Sequence, residues 1–114
     1  MYANGAYSNA MLFIETSIFT QEIKRLLPDD EYRQVQELLL LRPKAGNLIK
    51  GSGGLRKIRW SAPGMGKRGG LRLIYNWNPP DTIYMLFPYQ KNQQEDVTPE
   101  QLKILKGLVK EWLT

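Results

Sequence analysis

The chain has neither histidine nor cysteine. Thiolate chemistry, disulfides and the usual structural zinc sites are therefore excluded, and any proton transfer must fall to Lys, Arg, Tyr, Asp or Glu. The cations able to do chemistry are concentrated in one place. Between Leu38 and Pro80 there are nine basic residues, Arg42, Lys44, Lys50, Arg56, Lys57, Arg59, Lys67, Arg68 and Arg72, and no acidic one. The rest of the chain is net acidic, which leaves +5 overall. A solvated surface mixes signs because like charges repel, so a single-sign block of this length is the footprint of a polyanion site. Lys57 and Arg59, two residues apart, share one face of a strand. Arginine offers a fork of donors to phosphate oxygens.

Eight of the ten glycines lie in the same stretch, seven of them in the runs Gly51-Ser52-Gly53-Gly54 and Gly64-Met65-Gly66-Lys67-Arg68-Gly69-Gly70. Neither run has the spacing of a nucleotide-binding phosphate loop. Both read as mobile strand connections, the second carrying Lys67 and Arg68 to a nucleic-acid backbone.

The elements that must position these residues follow from the hydropathy pattern. Met11–Ile14 reads as a short buried strand. Thr16 or Ser17 caps a helix with Phe19, Ile23, Leu26 and Leu27 at helical spacing, ended by Pro28. Asp29 or Asp30 caps a second helix, with Tyr32, Val35, Leu38 and Leu39 on one stripe, stopped at Arg42-Pro43. Three strands come next, Leu55–Trp60, Leu71–Trp77 and Thr82–Tyr89. Strict alternation places Lys57 and Arg59 on one face and Arg56 on the other. It groups Arg72 with Ile74 and Asn76, and Tyr89 with Ile83, Met85 and Phe87. Thr98, Pro99 and Gln101 form the start of a last helix with a capping box, whose apolar face is Leu102, Leu105, Leu108, Val109 and Trp112. The order strand, two helices, three strands, helix is an α+β pattern in which short turns pair strands antiparallel and helices cover a face.

A chain of 114 residues fits one domain, expected over 11–114. Residues 1–10 read as a disordered or appended arm, with Met11 as an alternative start. No apolar run approaches the ~18 residues of a membrane span, and no secretory signal is visible, so a cytoplasmic protein is expected.

Leu55-Arg56-Lys57-Ile58-Arg59, then Gly66-Lys67-Arg68-Gly69-Gly70-Leu71-Arg72-Leu73-Ile74-Tyr75, then Tyr89-Gln90-Lys91-Asn92, within this order of elements, resemble the RelE/HigB family of toxins, and most closely its HigB-like branch. The resemblance spans about residues 11–114. It implies a microbial-RNase-type fold, β-α-α-β-β-β-α, with a twisted, mostly antiparallel sheet. It implies a ribosome-dependent endoribonuclease that cuts mRNA in the decoding site. It also implies neutralisation by a cognate antitoxin, expected to be a HigA-like helix-turn-helix protein. Lys57 and Arg59 match the family's basic pair facing RNA, Arg72 the arginine of the next strand, and Lys91 the basic segment after the last strand. Asn92 stands where RelE has an arginine, and Thr98 falls near the place of its C-terminal tyrosine, which leaves the general acid and base open.

Such cleavage needs a 2′-hydroxyl to lose a proton and attack the adjacent phosphorus, stabilisation of the phosphorane, and a proton for the leaving 5′-oxygen. Fixed cations aimed at the developing charge are the largest contributor. The expected catalytic set is Lys57, Arg59, Arg72, Tyr89 and Lys91. Lys50, Arg56, Lys67, Arg68 and Asn92 are expected to hold RNA. No metal, membrane or small-molecule cofactor is expected. Arg72 also fits a buried ion pair, and Tyr75, Trp60 and Trp77 fit core positions as well as base stacking. A non-catalytic RNA- or ribosome-binding domain would use the same basic face. A DNA-binding regulator would need a basic recognition helix, and the basic elements here are strands and loops.

Overall fold

The computed structural model describes residues 2–3, 11–61 and 70–113. The elements are β1 (Tyr2–Ala3), β2 (Leu12–Glu15), α1 (Ser17–Leu26), α2 (Asp29–Leu41), β3 (Asn47–Leu48), β4 (Leu55–Trp60), β5 (Leu71–Asn78), β6 (Thr82–Gln90) and α3 (Pro99–Leu113). They form one α+β unit around a six-stranded sheet of order β1-β2-β6-β5-β4-β3. Every pairing is antiparallel except β2 with β6, which run parallel. No tight turn joins that parallel pair: the chain leaves β2 through α1 and α2 to the far edge of the sheet at β3 and returns to it through β4, β5 and β6. Two short edge strands add to those the pattern predicts. One is β3, and the other is β1, where Tyr2 and Ala3 of the N-terminal arm pair with Glu15 and Ile14.

The helices cover both faces of the sheet, where the alternation suggested one. Against α1 and α2 the sheet turns Phe13, Ile58, Leu71, Leu73, Tyr75 and Met85. Against α3 it turns Leu55, Ile74, Tyr84, Leu86 and Tyr89. A sheet covered on both faces reads as near-continuous burial, and Leu71 to Asn76 are all buried.

Local chemistry sets the helix ends. The Thr16 hydroxyl accepts from the Phe19 amide at 3.0 Å and starts α1. The capping box of α3 forms in both directions, Gln101 N–H to Thr98 Oγ1 at 3.1 Å and Thr98 N–H to Gln101 Oε1 at 3.0 Å. The start of α2 differs from expectation. Pro28 is its N-cap without a side-chain bond, and Asp29, Asp30 and Glu31 lie in the first turn, where their charge suits the helix dipole.

The first glycine run is ordered. Gly51, Gly53 and Gly54 all adopt positive φ, the conformation the β3–β4 turn requires. Ser52 Oγ, buried inside that turn, accepts from the Leu55 amide at 2.9 Å. Lys106 of α3 donates to the Gly51 carbonyl at 3.0 Å. The second run, with Lys67 and Arg68, lies outside the described residues.

β6 carries the departure that matters most. The ladder with β5 pairs Ile74 with Phe87 but Tyr75 with Met85, so Leu86 is an extra residue. A bulge of this kind reverses the alternation beyond it. Ile83 and Met85 face α1 and α2, whereas Phe87 and Tyr89 face the side of α3.

Candidate nucleic-acid interface

Because of that bulge, three neighbouring strands present one row of side chains on the α3 side of the sheet. Arg59 of β4 lies directly opposite Arg72 of β5, and Arg72 lies directly opposite Tyr89 of β6. Strict alternation would have set Tyr89 on the other face. Directly opposed residues in antiparallel strands hold their Cβ atoms about 4.5–5.5 Å apart, and like charges there are destabilising. Two arginines so placed, without an acidic residue between them in the ladder, mark a position arranged to receive an anion.

Arg72 is the more constrained of the two. It is 8% exposed, while Arg59 stands in solvent. It makes no ion pair with a carboxylate among the described residues, so a buried salt bridge is not its role there. Its guanidinium lies over Gly70, where an added Cβ would come within 2.7 Å of a terminal nitrogen. Gly70 in turn accepts from the Lys91 amide at 3.0 Å, which closes the open end of the β5–β6 ladder.

A hydrogen-bonded group completes the site. Asp96, in the connection to α3, accepts from Lys57 Nζ at 3.2 Å, from the Tyr89 hydroxyl at 3.2 Å and from the Val97 amide at 2.8 Å, all at Oδ1. Burial pushes the Tyr89 phenol up to about 12; the charge and hydrogen bond of Asp96 add to this, and Arg72 opposes it. The phenol therefore stays protonated far above neutrality and is a donor. Partial burial would by itself raise the Asp96 carboxyl. The Val97 amide, Lys57 and Tyr89 outweigh it and hold the group below its ordinary value, so it is a carboxylate at neutral pH.

Lys57, Arg59, Arg72 and Tyr89 of the expected catalytic set are thus gathered on one face. Lys91 caps the end of β6 through its backbone, and its side chain is exposed at the margin. Among the residues expected to hold RNA, Lys50 lines a cleft of about 610 Å³ that also takes in Lys57, Arg59 and Asp96. Asn92 is exposed just after β6. Arg56 faces the other way and donates to the Gly46 carbonyl at 2.8 Å, holding the exit from α2 against the sheet. Lys67 and Arg68 lie outside the described residues. Tyr75 is fully buried and serves the fold, with its hydroxyl donating to the Pro43 carbonyl at 2.8 Å and accepting from the Gly46 amide at 2.9 Å.

Asp96 has no counterpart in the sequence-based set. It lies sixteen positions beyond the acid-free stretch in a polar loop, and nothing in its local sequence marks it apart from a helix-approach residue. No group of three or more acidic side chains that could hold a metal ion occurs among the described residues. No helix among them is long and apolar enough to cross a membrane.

A family model described as the RelE toxin of the RelE / RelB toxin–antitoxin system matches residues 44–114. The match takes in β3 to β6, α3 and all five residues of the cluster just described. The chain belongs to the RelE toxin family and is a toxin of a toxin–antitoxin system.

Proposed function

We propose that this RelE-family toxin, acting through a single domain over residues 11–114, is a ribosome-dependent endoribonuclease of the HigB-like branch. It cuts mRNA in the decoding site of the cytoplasmic ribosome and is neutralised by a HigA-like helix-turn-helix antitoxin. The observation that carries the reading is the row Arg59–Arg72–Tyr89 across three strands, with Lys57 and Asp96 bonded into it.

In this reading a scissile phosphate sits over Arg72, bridged to Arg59, so that both guanidinium groups meet its equatorial oxygens. Asp96 accepts the proton of the 2′-hydroxyl as that oxygen attacks the adjacent phosphorus. The bond from phosphorus to the 5′-oxygen breaks, and Tyr89, neutral because of its raised pKa, donates the proton the leaving oxygen needs. Lys57 moves from Asp96 to the phosphorane as negative charge accumulates there. Lys50, Lys91, Asn92, Lys67 and Arg68 hold the flanking backbone. Removing one fixed donor to such a charge typically costs about 10²–10³ in rate.

The test is a translation extract programmed with a defined message, with new 5′ ends mapped by primer extension. Breaks that appear with the native toxin and vanish in Arg72→Ala and in Lys57→Ala are expected. Undiminished cutting in both variants would place the chemistry elsewhere. Binding of the native chain to ribosomes without new ends would leave a non-catalytic ribosome-binding module.

A further inference from the structure

We infer that the 610 Å³ cleft beside the cluster is a nucleotide subsite that seats the base and phosphate next to the scissile bond, with Asn47 reading the base. This rests on the nuclease reading and extends it to RNA selection.

The cleft exists because β3 is short. It pairs only with Arg56 and Lys57, and the chain leaves the sheet at Gly46. The outer edge of β4 beyond Lys57 therefore has no strand partner among the described residues, and the space beside it is closed by the end of α2. The wall is fixed. Gly46 is bonded through its amide to Tyr75 and through its carbonyl to Arg56. A Cβ there would meet Tyr75 at 2.8 Å and the Lys57 backbone at 3.0 Å.

Its lining has two parts. The floor is apolar, from Leu38, Ala45, Ile49 and Ile58, with Leu48 standing 61% exposed at the lip. The rim carries Arg42, Lys50, Lys57 and Arg59 against one carboxylate, Asp96. Flat apolar faces with charged phosphate on either side are what a single-stranded nucleotide presents. The size falls within the range of small-ligand pockets, about 300–1,000 Å³. Asn47 lies at this boundary with an exposed carboxamide that makes no hydrogen bond among the described residues. A carboxamide offers donor and acceptor side by side, the pattern that matches a base edge. Lys57 and Arg59 belong both to the cleft and to the phosphate row, so a strand of RNA passes from one to the other within a single nucleotide step.

The experiment uses full-length toxin on ribosomes carrying a message with a 2′-O-methyl group at the cleaved nucleotide, which blocks attack. A 4-thiouridine is placed immediately upstream in one message and immediately downstream in another. One of the two is expected to crosslink to the peptide spanning residues 38–50, with lower yield in Asn47→Ala and in Arg42→Ala. With cleavable messages differing only at that base, Asn47→Ala is expected to flatten the preference by about tenfold. Crosslinks from both positions confined to other parts of the toxin would overturn the subsite while leaving the nuclease standing. So would antitoxin, not RNA, covering 38–50 in amide exchange. The absence of any crosslink to the toxin would overturn the nuclease reading and the subsite together.

Discussion

The hydroxyl of Thr16 donates to the carbonyl of Leu86 at 2.8 Å. Leu86 is the extra residue of the β6 bulge, and a bulge leaves its backbone short of ladder partners. Thr16 supplies one, while its oxygen also caps α1 and its amide donates to Met85 O at 3.1 Å. The start of α1 and the register of Tyr89 are thus tied to one side chain. Thr16→Val is expected to lower stability by about 1–2 kcal/mol in urea denaturation, from the lost cap and the buried carbonyl left unbonded. Thr16→Ser keeps the oxygen and should stay within about 0.5 kcal/mol of the native chain. Equal losses in the two variants would show that the hydroxyl is not what holds the bulge.

The same bulge marks where the sequence stops being legible. Alternation identifies β4, β5 and most of β6, the capping signals identify α1 and α3, charge marks the block of nine cations, and the resemblance to the RelE/HigB family singles out Lys57, Arg59 and Arg72 within it. Tyr89 emerges as a residue but on the wrong face, because a period of two holds only while no extra residue interrupts it. The parallel pairing of β2 with β6 depends on a crossover between segments about seventy positions apart, which no local pattern encodes. Asp96 is invisible for the same reason. Its partners Lys57 and Tyr89 lie on different strands, and only folding brings them to it.

Arg72 is buried opposite Arg59 with no carboxylate bonded to it among the described residues. A buried guanidinium beside a like charge favours function at the expense of stability. Arg72→Met, which keeps the length of the stem, is expected to raise the melting temperature by a few degrees and to reduce cutting by at least about 10²-fold. Thermal unfolding and primer extension on the same preparation check it. A variant that loses stability would show that the guanidinium holds the fold through contacts other than an ion pair.

Tyr89 is expected to titrate late. Its ordinary value is 10.0 and in the fold it is pushed up to about 12. Between these values the unfolded chain ionises its phenol and the folded chain does not. The contribution of this group to stability is therefore complete below pH 10 and is lost as pH rises towards 12. Absorbance at 295 nm should show a late phenolate component that shrinks by one tyrosine in Tyr89→Phe, the buried Tyr75, also pushed up by its burial, supplying the rest. A late component of undiminished amplitude in Tyr89→Phe would show that Tyr89 is not held neutral in the fold.

Gly46→Ala tests the wall of the cleft. The added methyl would lie 2.8 Å from a ring carbon of Tyr75 and 3.0 Å from the Lys57 backbone, and neither the fully buried ring nor a strand backbone can yield. Overpacking of this kind costs about 1–3 kcal/mol. The loss should be accompanied by faster amide exchange at Asn47 and Leu48, whose edge pairing depends on where Gly46 leaves the sheet. A fully stable variant with unchanged exchange would mean that the segment shifts freely and the cleft has no fixed shape.

Asp96→Asn separates the charge of the cluster from its hydrogen bonds. The amide oxygen can still accept from Val97 and Tyr89, but the ion pair with Lys57 is gone. The Asp96 side chain is 60% exposed in that pair, so solvent screens it and the stability change should be within about 0.5–1 kcal/mol. That small contribution is present above the ordinary carboxylate value and lost in acid, as pH falls through the depressed value in the fold. Cutting should fall much further, by roughly 10²–10⁴, because the amide cannot accept the proton of the 2′-hydroxyl. The Tyr89 phenol, relieved of a neighbouring negative charge, should titrate at lower pH than in the native chain. Native cutting with a shifted Tyr89 titration would reduce Asp96 to a residue that orients Lys57 and Tyr89. Native cutting without that shift would remove it from the cluster.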